Sequence, residues 1–288
     1  MEHSPKPFAF FGTPYVARDT LQYLCKEGYV PEVVISSPDA LKGRGLMLTP
    51  SETKTWATEY ELPVLTPEKI DDAFIASLSA YGCAYAVVVA YGKILPQALI
   101  DAFPLGILNI HYSLLPKYRG ASPVEGALLA GETVTGVSIQ QMVYELDAGD
   151  VLASQEVAIR PDETTRELRP RLVSLGAELL VSILPAFEAG TLTPVPQDAS
   201  AATLTKKIKK EMGALSLSGD PQENWNRYRA YAESPGTYFF MEKDGQRLRV
   251  KIRSAQLVDG SFVPERVVPE GKNETAYSGL VSQGYIPV

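Results

Sequence analysis

Tyr85-Ala86-Val87-Val88-Val89-Ala90 is an unbroken apolar run with three consecutive valines. A strand with one wet face alternates polar and apolar residues. A run without alternation is what a strand covered on both faces needs, and such strands belong to parallel sheets flanked by helices. The flanking sequence reads the same way. Pro7-Phe8-Ala9-Phe10-Phe11 is a second apolar run, closed by Gly12. Thr13-Pro14 then opens a helical pattern through Leu24, with Thr expected as N-cap and Pro at the first helical position. Val33–Ile35 and Pro63–Leu65 read as strands, Ser51–Tyr60 and 67–80 as helices, and Leu105–Ile110 as another buried strand. The fold class is therefore α/β, with a mostly parallel sheet. Gly12-Thr13-Pro14 lacks the G-x-G-x-x-G spacing and the acidic ribose partner of a dinucleotide loop, which disfavours a nicotinamide oxidoreductase.

The organisation changes late in the chain. A long amphipathic helix is expected from Thr165 to Ala189, closing a domain over residues 1–189. Residues 190–204 are rich in Pro, Thr, Ser and Ala, the composition of a linker. In 205–288, Thr237–Phe240, the Asp244-Gly245 turn and Arg247–Ile252 form a hairpin signal. Val250 and Ile252 alternate there with Arg249, Lys251 and Arg253, which places basic groups along one strand face. A small β-barrel is expected, with an irregular end over Glu265–Val288.

The net charge of −7 is unevenly spread: residues 201–288 carry 13 basic and 10 acidic residues, net +3, leaving −10 on residues 1–200. Lys206, Lys207, Lys209 and Lys210 cluster where the basic portion begins, and phosphate contacts need only a local basic surface. No apolar run approaches the eighteen or so residues of a membrane span. No basic-then-apolar leader precedes Phe8, and the two cysteines, Cys25 and Cys83, lack metal-ligand spacing. A cytoplasmic, monomeric enzyme without a metal is the expectation.

The chemistry concentrates in Asn109-Ile110-His111-Tyr112-Ser113-Leu114-Leu115-Pro116 and Leu146-Asp147-Ala148-Gly149-Asp150. The chain has two histidines, and His111 ends the Leu105–Ile110 run two residues after Asn109. The strand period puts both on one face. An amide donor, an imidazole and a carboxylate together suit acyl transfer to an amine. Asp147 either takes a proton or orients His111, and Asp150 is its alternative. No Gly-x-Ser-x-Gly elbow surrounds Ser113, which reads as a loop hydrogen-bonder.

With Phe11-Gly12-Thr13-Pro14, Lys42-Gly43-Arg44-Gly45, Ala90–Pro96, Tyr118-Arg119-Gly120 and Gly136-Val137-Ser138-Ile139, these motifs resemble the folate-dependent formyltransferases from about residue 8 to 190. The resemblance implies a Rossmann-like catalytic domain and a C-terminal barrel of the OB type. It also implies 10-formyltetrahydrofolate as donor and Asn109, His111 and Asp147 as catalytic residues. Folate contacts are expected from Tyr91, Gly92, Ile94 and Leu95, and from Ser113, Leu114, Leu115 and Pro116. The thirteen-residue loop Pro38–Pro50 carries Lys42 and Arg44, and the resemblance makes it the grip on a charged initiator tRNA, with the four lysines as further contacts. An amino-sugar nucleotide acceptor, or a non-catalytic RNA-binding relative, are the competing readings.

Overall fold

The computed structural model describes residues 4–42 and 45–288. They fall into two compact units: residues 1–120, 136–157 and 170–204 in the first, and 121–135, 158–169 and 205–288 in the second. The strands up to the second half of the chain are β1 (Phe8–Gly12), β2 (Val33–Ile35), β3 (Ala40–Lys42), β4 (Met47–Thr49), β5 (Val64–Leu65), β6 (Tyr85–Val89), β7 (Ile107–His111), β8 (Arg119–Gly120), β9 (Val134–Gln141) and β10 (Val151–Ala158). The helices are α1 (Tyr15–Lys26), α2 (Glu52–Glu59), α3 (Asp72–Leu78), α4 (Gln97–Asp101), α5 (Pro123–Leu129), α6 (Thr165–Glu188), α7 (Pro221–Ala230) and α8 (Tyr277–Ser282).

The first unit is built on a seven-stranded sheet in the order β10-β9-β7-β6-β1-β2-β5. The pairs β7·β6, β6·β1, β1·β2 and β2·β5 are parallel, and β9 runs antiparallel to β7. Every residue of β1, β6 and β7 is buried, as their unbroken apolar runs demand. Ala9, Phe11, Val33, Ile35, Ala86 and Val88 form one face of the core with Leu99 and Ile107. On the other face Phe8 stacks on Tyr85, with ring centroids 5.2 Å apart. A Cβ on Gly12 would collide with Ala17 and Phe10, so only glycine lets α1 start so close to β1. Pro14, not Thr13, is the residue that precedes α1, and no side chain caps the helix. Thr13 Oγ1 instead donates to the Tyr91 carbonyl at 3.2 Å, which ties the first turn to the end of β6.

The segment expected as a structureless loop, Pro38–Pro50, contains the antiparallel pair β3·β4, with Leu41 opposite Leu48. The Val151–Ala153 and Glu156–Ile159 signals join into the single strand β10. Helix α6 has enough length and apolar content to cross a membrane on composition alone, which the count of apolar runs missed. Its Leu168, Leu172, Leu180 and Leu184 are fully buried, as in a core helix.

A short strand β11 (Leu204–Thr205) pairs with β8, and the second unit holds a five-stranded antiparallel sheet of β12 (Tyr238–Lys243), β13 (Gln246–Val258), β14 (Ser261–Pro269), β15 (Thr275–Ala276) and β16 (Ile286–Pro287). The sheet itself runs β15-β14-β13-β12-β16, a small barrel-like arrangement. Asp244 and Gly245 both have positive φ, 51° and 75°, the type I′ geometry that an Asp-Gly hairpin turn requires. Phe239, Met241, Val250 and Val267 fill the core of this sheet. The end of the chain, expected to be irregular, is ordered into β14, β15, α8 and β16.

Candidate active site

Strand β7 delivers Asn109 and His111 to its C-terminal end. Across β9, Asn109 faces Gln140 and His111 faces Ser138, so four polar residues share one face of the sheet. All four are buried. Asp147 arrives from the turn after β9, with φ of +49°, a conformation in which a non-glycine residue is strained. Three partners meet its carboxylate. Gln140 Nε2 donates to Oδ1 at 2.9 Å, the Gly120 N–H donates to Oδ2 at 2.7 Å, and His111 Nδ1 stands 3.7 Å from Oδ2.

The other imidazole nitrogen fixes the tautomer. His111 Nε2 lies 2.9 Å from the Tyr118 carbonyl, and a carbonyl can only accept, so Nε2 carries the proton. In the neutral ring the Nδ1 lone pair then faces the Asp147 side. Burial holds His111 below its ordinary value of 6.5; Asp147 and the Tyr118 carbonyl pull the other way but do not overcome it. The neutral imidazole is therefore the resting form at neutral pH, with a base and a carboxylate 3.7 Å apart and no proton between them. Among the described residues no hydrogen bond engages the Asn109 side-chain amide, so its N–H donors are uncommitted. Gln140 Oε1 is buried and has no partner among the described residues.

The expected folate contacts divide by exposure. Ile94 is 83% exposed, whereas Leu95 and Tyr91 are buried in the core, the Tyr91 ring edge-on to Phe11 at 5.4 Å. Tyr91 Oη is buried without a partner among the described residues, and burial pushes that hydroxyl up to about 12. Gly92 takes φ of +81°. Ser113 is sealed from solvent and donates to the Lys117 carbonyl at 2.6 Å, while Leu114, Leu115 and Pro116 are half-buried.

Of the basic residues, Arg44 lies outside the described residues, and Lys42 is placed only as the last residue of β3. Along β3, β4 and the residues just before β4, Leu41, Leu46, Met47 and Leu48 are each more than 60% accessible. Lys206, Lys207, Lys209 and Lys210 are exposed. In the second unit, the outward face of β12 and β13 pairs Tyr238 with Lys251, Phe240 with Arg249 and Glu242 with Arg247. The Arg249 guanidinium lies 3.6 Å over the Tyr238 ring and that of Arg247 lies 3.9 Å over Phe240. Beside this ladder is a groove of about 430 Å³ whose walls include Arg166, Tyr228, Lys251 and Arg253, with Glu167 and Glu233 among them.

Sequence reasoning gave no role at Asp147 to Gln140 or Gly120, and missed Gln197. Gln140 had a signal, since a glutamine at the two-residue period from Ser138 marks a polar strand face. Gly120 acts through its backbone, and Gln197 sits in a Pro-rich stretch with no periodicity.

Residues 7–184 match the family model described as formyl transferase. Methionyl-tRNA formyltransferase of Koribacter versatilis is 41% identical over 92% of this chain and 84% of its own length. The enzyme of that name from Nitratidesulfovibrio vulgaris is 38% identical over 93% and 82%. Among solved structures, an N-formyltransferase from Helicobacter canadensis with folinic acid and dTDP-3-aminofucose has a TM-score of 0.63 at 16% identity, covering 90% of this chain and 95% of that one. A likely sugar N-formyltransferase from Mycobacterium tuberculosis has a TM-score of 0.64 at 20% identity, over 86% and 97%. These two share the fold. The extent and identity of the match leave one assignment: the chain belongs to the formyl transferase family, in its methionyl-tRNA formyltransferase branch.

Proposed function

We propose that the protein transfers the formyl group of 10-formyltetrahydrofolate to the free amino group of a methionyl initiator tRNA. One observation carries the chemical half of this reading: an uncommitted amide and a buried neutral histidine share one strand face, with a hydrogen-bonded carboxylate beside the imidazole. The site fits a bound formyl folate, because Asn109 and Gln140 Oε1 offer a donor and an acceptor that nothing described satisfies. When bound, the folate supplies a formyl carbonyl whose carbon carries a nitrogen leaving group.

This chain's residues then have distinct tasks. The Asn109 N–H donates to the formyl oxygen as negative charge gathers there, a contact of the kind whose loss raises a barrier by about 3 kcal/mol. His111 Nδ1, held neutral by burial, receives the proton that the attacking amine sheds as its bond to the formyl carbon forms. Asp147 stabilises the resulting imidazolium and keeps the ring from rotating, while Nε2–H stays on the Tyr118 carbonyl. As the bond from carbon to the folate nitrogen breaks, His111 returns the proton to that nitrogen, and the histidine ends as it began.

The RNA half rests on the surfaces. Residues 1–189 are read as the catalytic portion, with 190–204 leading into 205–288, the RNA-binding portion. A ladder of guanidinium groups pre-stacked on aromatic rings suits a phosphate backbone with exposed base faces. The four exposed lysines add local positive charge. The apolar β3·β4 pair offers side chains that unpaired bases can cover. The molecule acts as a cytoplasmic monomer in this reading. Supplying 10-formyltetrahydrofolate with methionyl initiator tRNA, or with an amino-sugar nucleotide, tests it: formylated methionyl-tRNA is the expected product, and formylation of the sugar alone would overturn the choice of acceptor.

A further inference from the structure

The segment between α6 and β11, linker-like in composition, is fastened to the site. Val195 and Val151 exchange both backbone hydrogen bonds at 2.9 Å, which lays the segment antiparallel to β10. Two residues on, the Gln197 carboxamide reaches into the Asp147 turn. Its Nε2 donates to the Asp147 carbonyl at 2.9 Å and to the Gly149 carbonyl at 2.6 Å. Its Oε1 accepts from Arg119 Nε at 3.0 Å and from a terminal guanidinium nitrogen of Arg119 at 2.8 Å. Arg119 is buried, and its backbone sits between the two groups that hold the catalytic pair: the Tyr118 carbonyl on His111 and the Gly120 N–H on Asp147. Thr203 secures the same stretch, its Oγ1 accepting from the Tyr118 N–H and its carbonyl from the Arg119 N–H, each at 2.8 Å.

We propose that Gln197 is a positioning residue for formyl transfer, clamping the Asp147 turn and, through Arg119, the Tyr118–Gly120 segment, so that the carboxylate and imidazole keep their mutual station. The physical need is specific. Asp147 and Tyr118 both hold left-handed backbone, at φ of +49° and +61°, which persists only where the surroundings over-determine it. A primary carboxamide is the smallest group that can give two hydrogens to two carbonyls while its oxygen takes a guanidinium fork. Glutamate would keep the fork and lose both donors.

The assignment of the role rests on the formyl-transfer reading, so the test has one readout that needs no turnover. The full-length protein is compared with Gln197→Ala and Gln197→Glu for kcat, for KM toward each substrate, for melting temperature, and for the NMR titration of the His111 ring. His3 is the only other histidine resonance. Displacement of the clamped turn should lower kcat roughly 10- to 100-fold in both variants with KM little changed. The His111 titration midpoint should move to lower pH, because the imidazolium loses the carboxylate that favours it. Gln197→Glu, which keeps the volume and the Arg119 partner, decides the matter if Gln197→Ala fails to fold. Wild-type kcat and an unmoved His111 titration, with only the melting temperature reduced, would overturn the proposal. An inactive wild type whose His111 midpoint still moves in the variants would sink the acceptor or donor assignment and leave the clamp standing.

Discussion

His111 is a buried base whose proton affinity differs between folded and unfolded chains, and this has two measurable consequences. Burial dominates, so its folded pKa lies below the unfolded value near 6.5. Between the two values the unfolded chain binds more protons, so acid favours unfolding there. The stabilising contribution is in place above about 6.5 and is lost as pH falls through the lower, folded value. Denaturant midpoints measured from pH 7.5 down to pH 5 should therefore fall more steeply for the wild type than for His111→Gln; parallel curves would contradict the burial argument. For activity, kcat should rise with pH through an inflection below 6.5 and then level, since the proposed mechanism takes the amine proton on the neutral ring. Asn109→Ala should lower kcat by about 10²- to 10³-fold without loss of stability, checked by single-turnover formyl transfer. That Asn109 and His111 share a face was legible from the two-residue strand period, while Asp147 stood out through its acidic turn and the family resemblance. The structure brings the three side by side. The parts of Gln140 and Gly120 were not legible, since one needs the strand register and the other a backbone N–H whose direction no side chain announces.

At the scale of elements, the sequence is most legible where pattern and turn chemistry agree. The β12–β13 hairpin follows directly from Asp244-Gly245 between alternating runs, and β6 from its valines. The β3·β4 pair was hidden, because each strand is only three residues long and the glycines in the intervening sequence read equally well as loop. Two outcomes belong at this scale. Arg249→Ala removes a guanidinium that the Tyr238 face pre-positions. It should weaken RNA binding and reduce the slope of log affinity against log salt by roughly one unit; an unchanged slope, read by filter binding over several salt concentrations, would remove β13 from the interface. Gly149→Ala tests the turn after β9. A Cβ there would run into the Gln141 carbonyl oxygen, so the strand end must shift. Turnover should collapse while secondary structure by circular dichroism stays near that of the wild type.

For the molecule as a whole, what no linear reading anticipates is that the second unit takes residues 121–135 and 158–169 along with 205–288. The reason lies in packing: Asn226 of α7 donates to the Leu129 carbonyl at the end of α5, and Trp225 Nε1 donates to the Pro161 carbonyl, each at 3.4 Å. Arg169 pairs with Glu125 and, at 2.7 Å, with Glu233, joining all three stretches through one half-buried guanidinium. A fragment starting at residue 205 would keep Glu233 and lose both other partners. Expressed alone, it should unfold without a cooperative transition in near-ultraviolet dichroism; a sharp transition would show that the earlier stretches are dispensable.

That guanidinium bridge also imposes a schedule on birth at the ribosome. Glu125 leaves the exit tunnel early, Arg169 follows, and Glu233 comes only after more than sixty further residues have been translated. Until then the helix bearing Glu125 must wait with its packing face uncovered, exposed to chaperones and to neighbouring nascent chains. Ribosome stalling in the stretch before Glu233 would lengthen that wait.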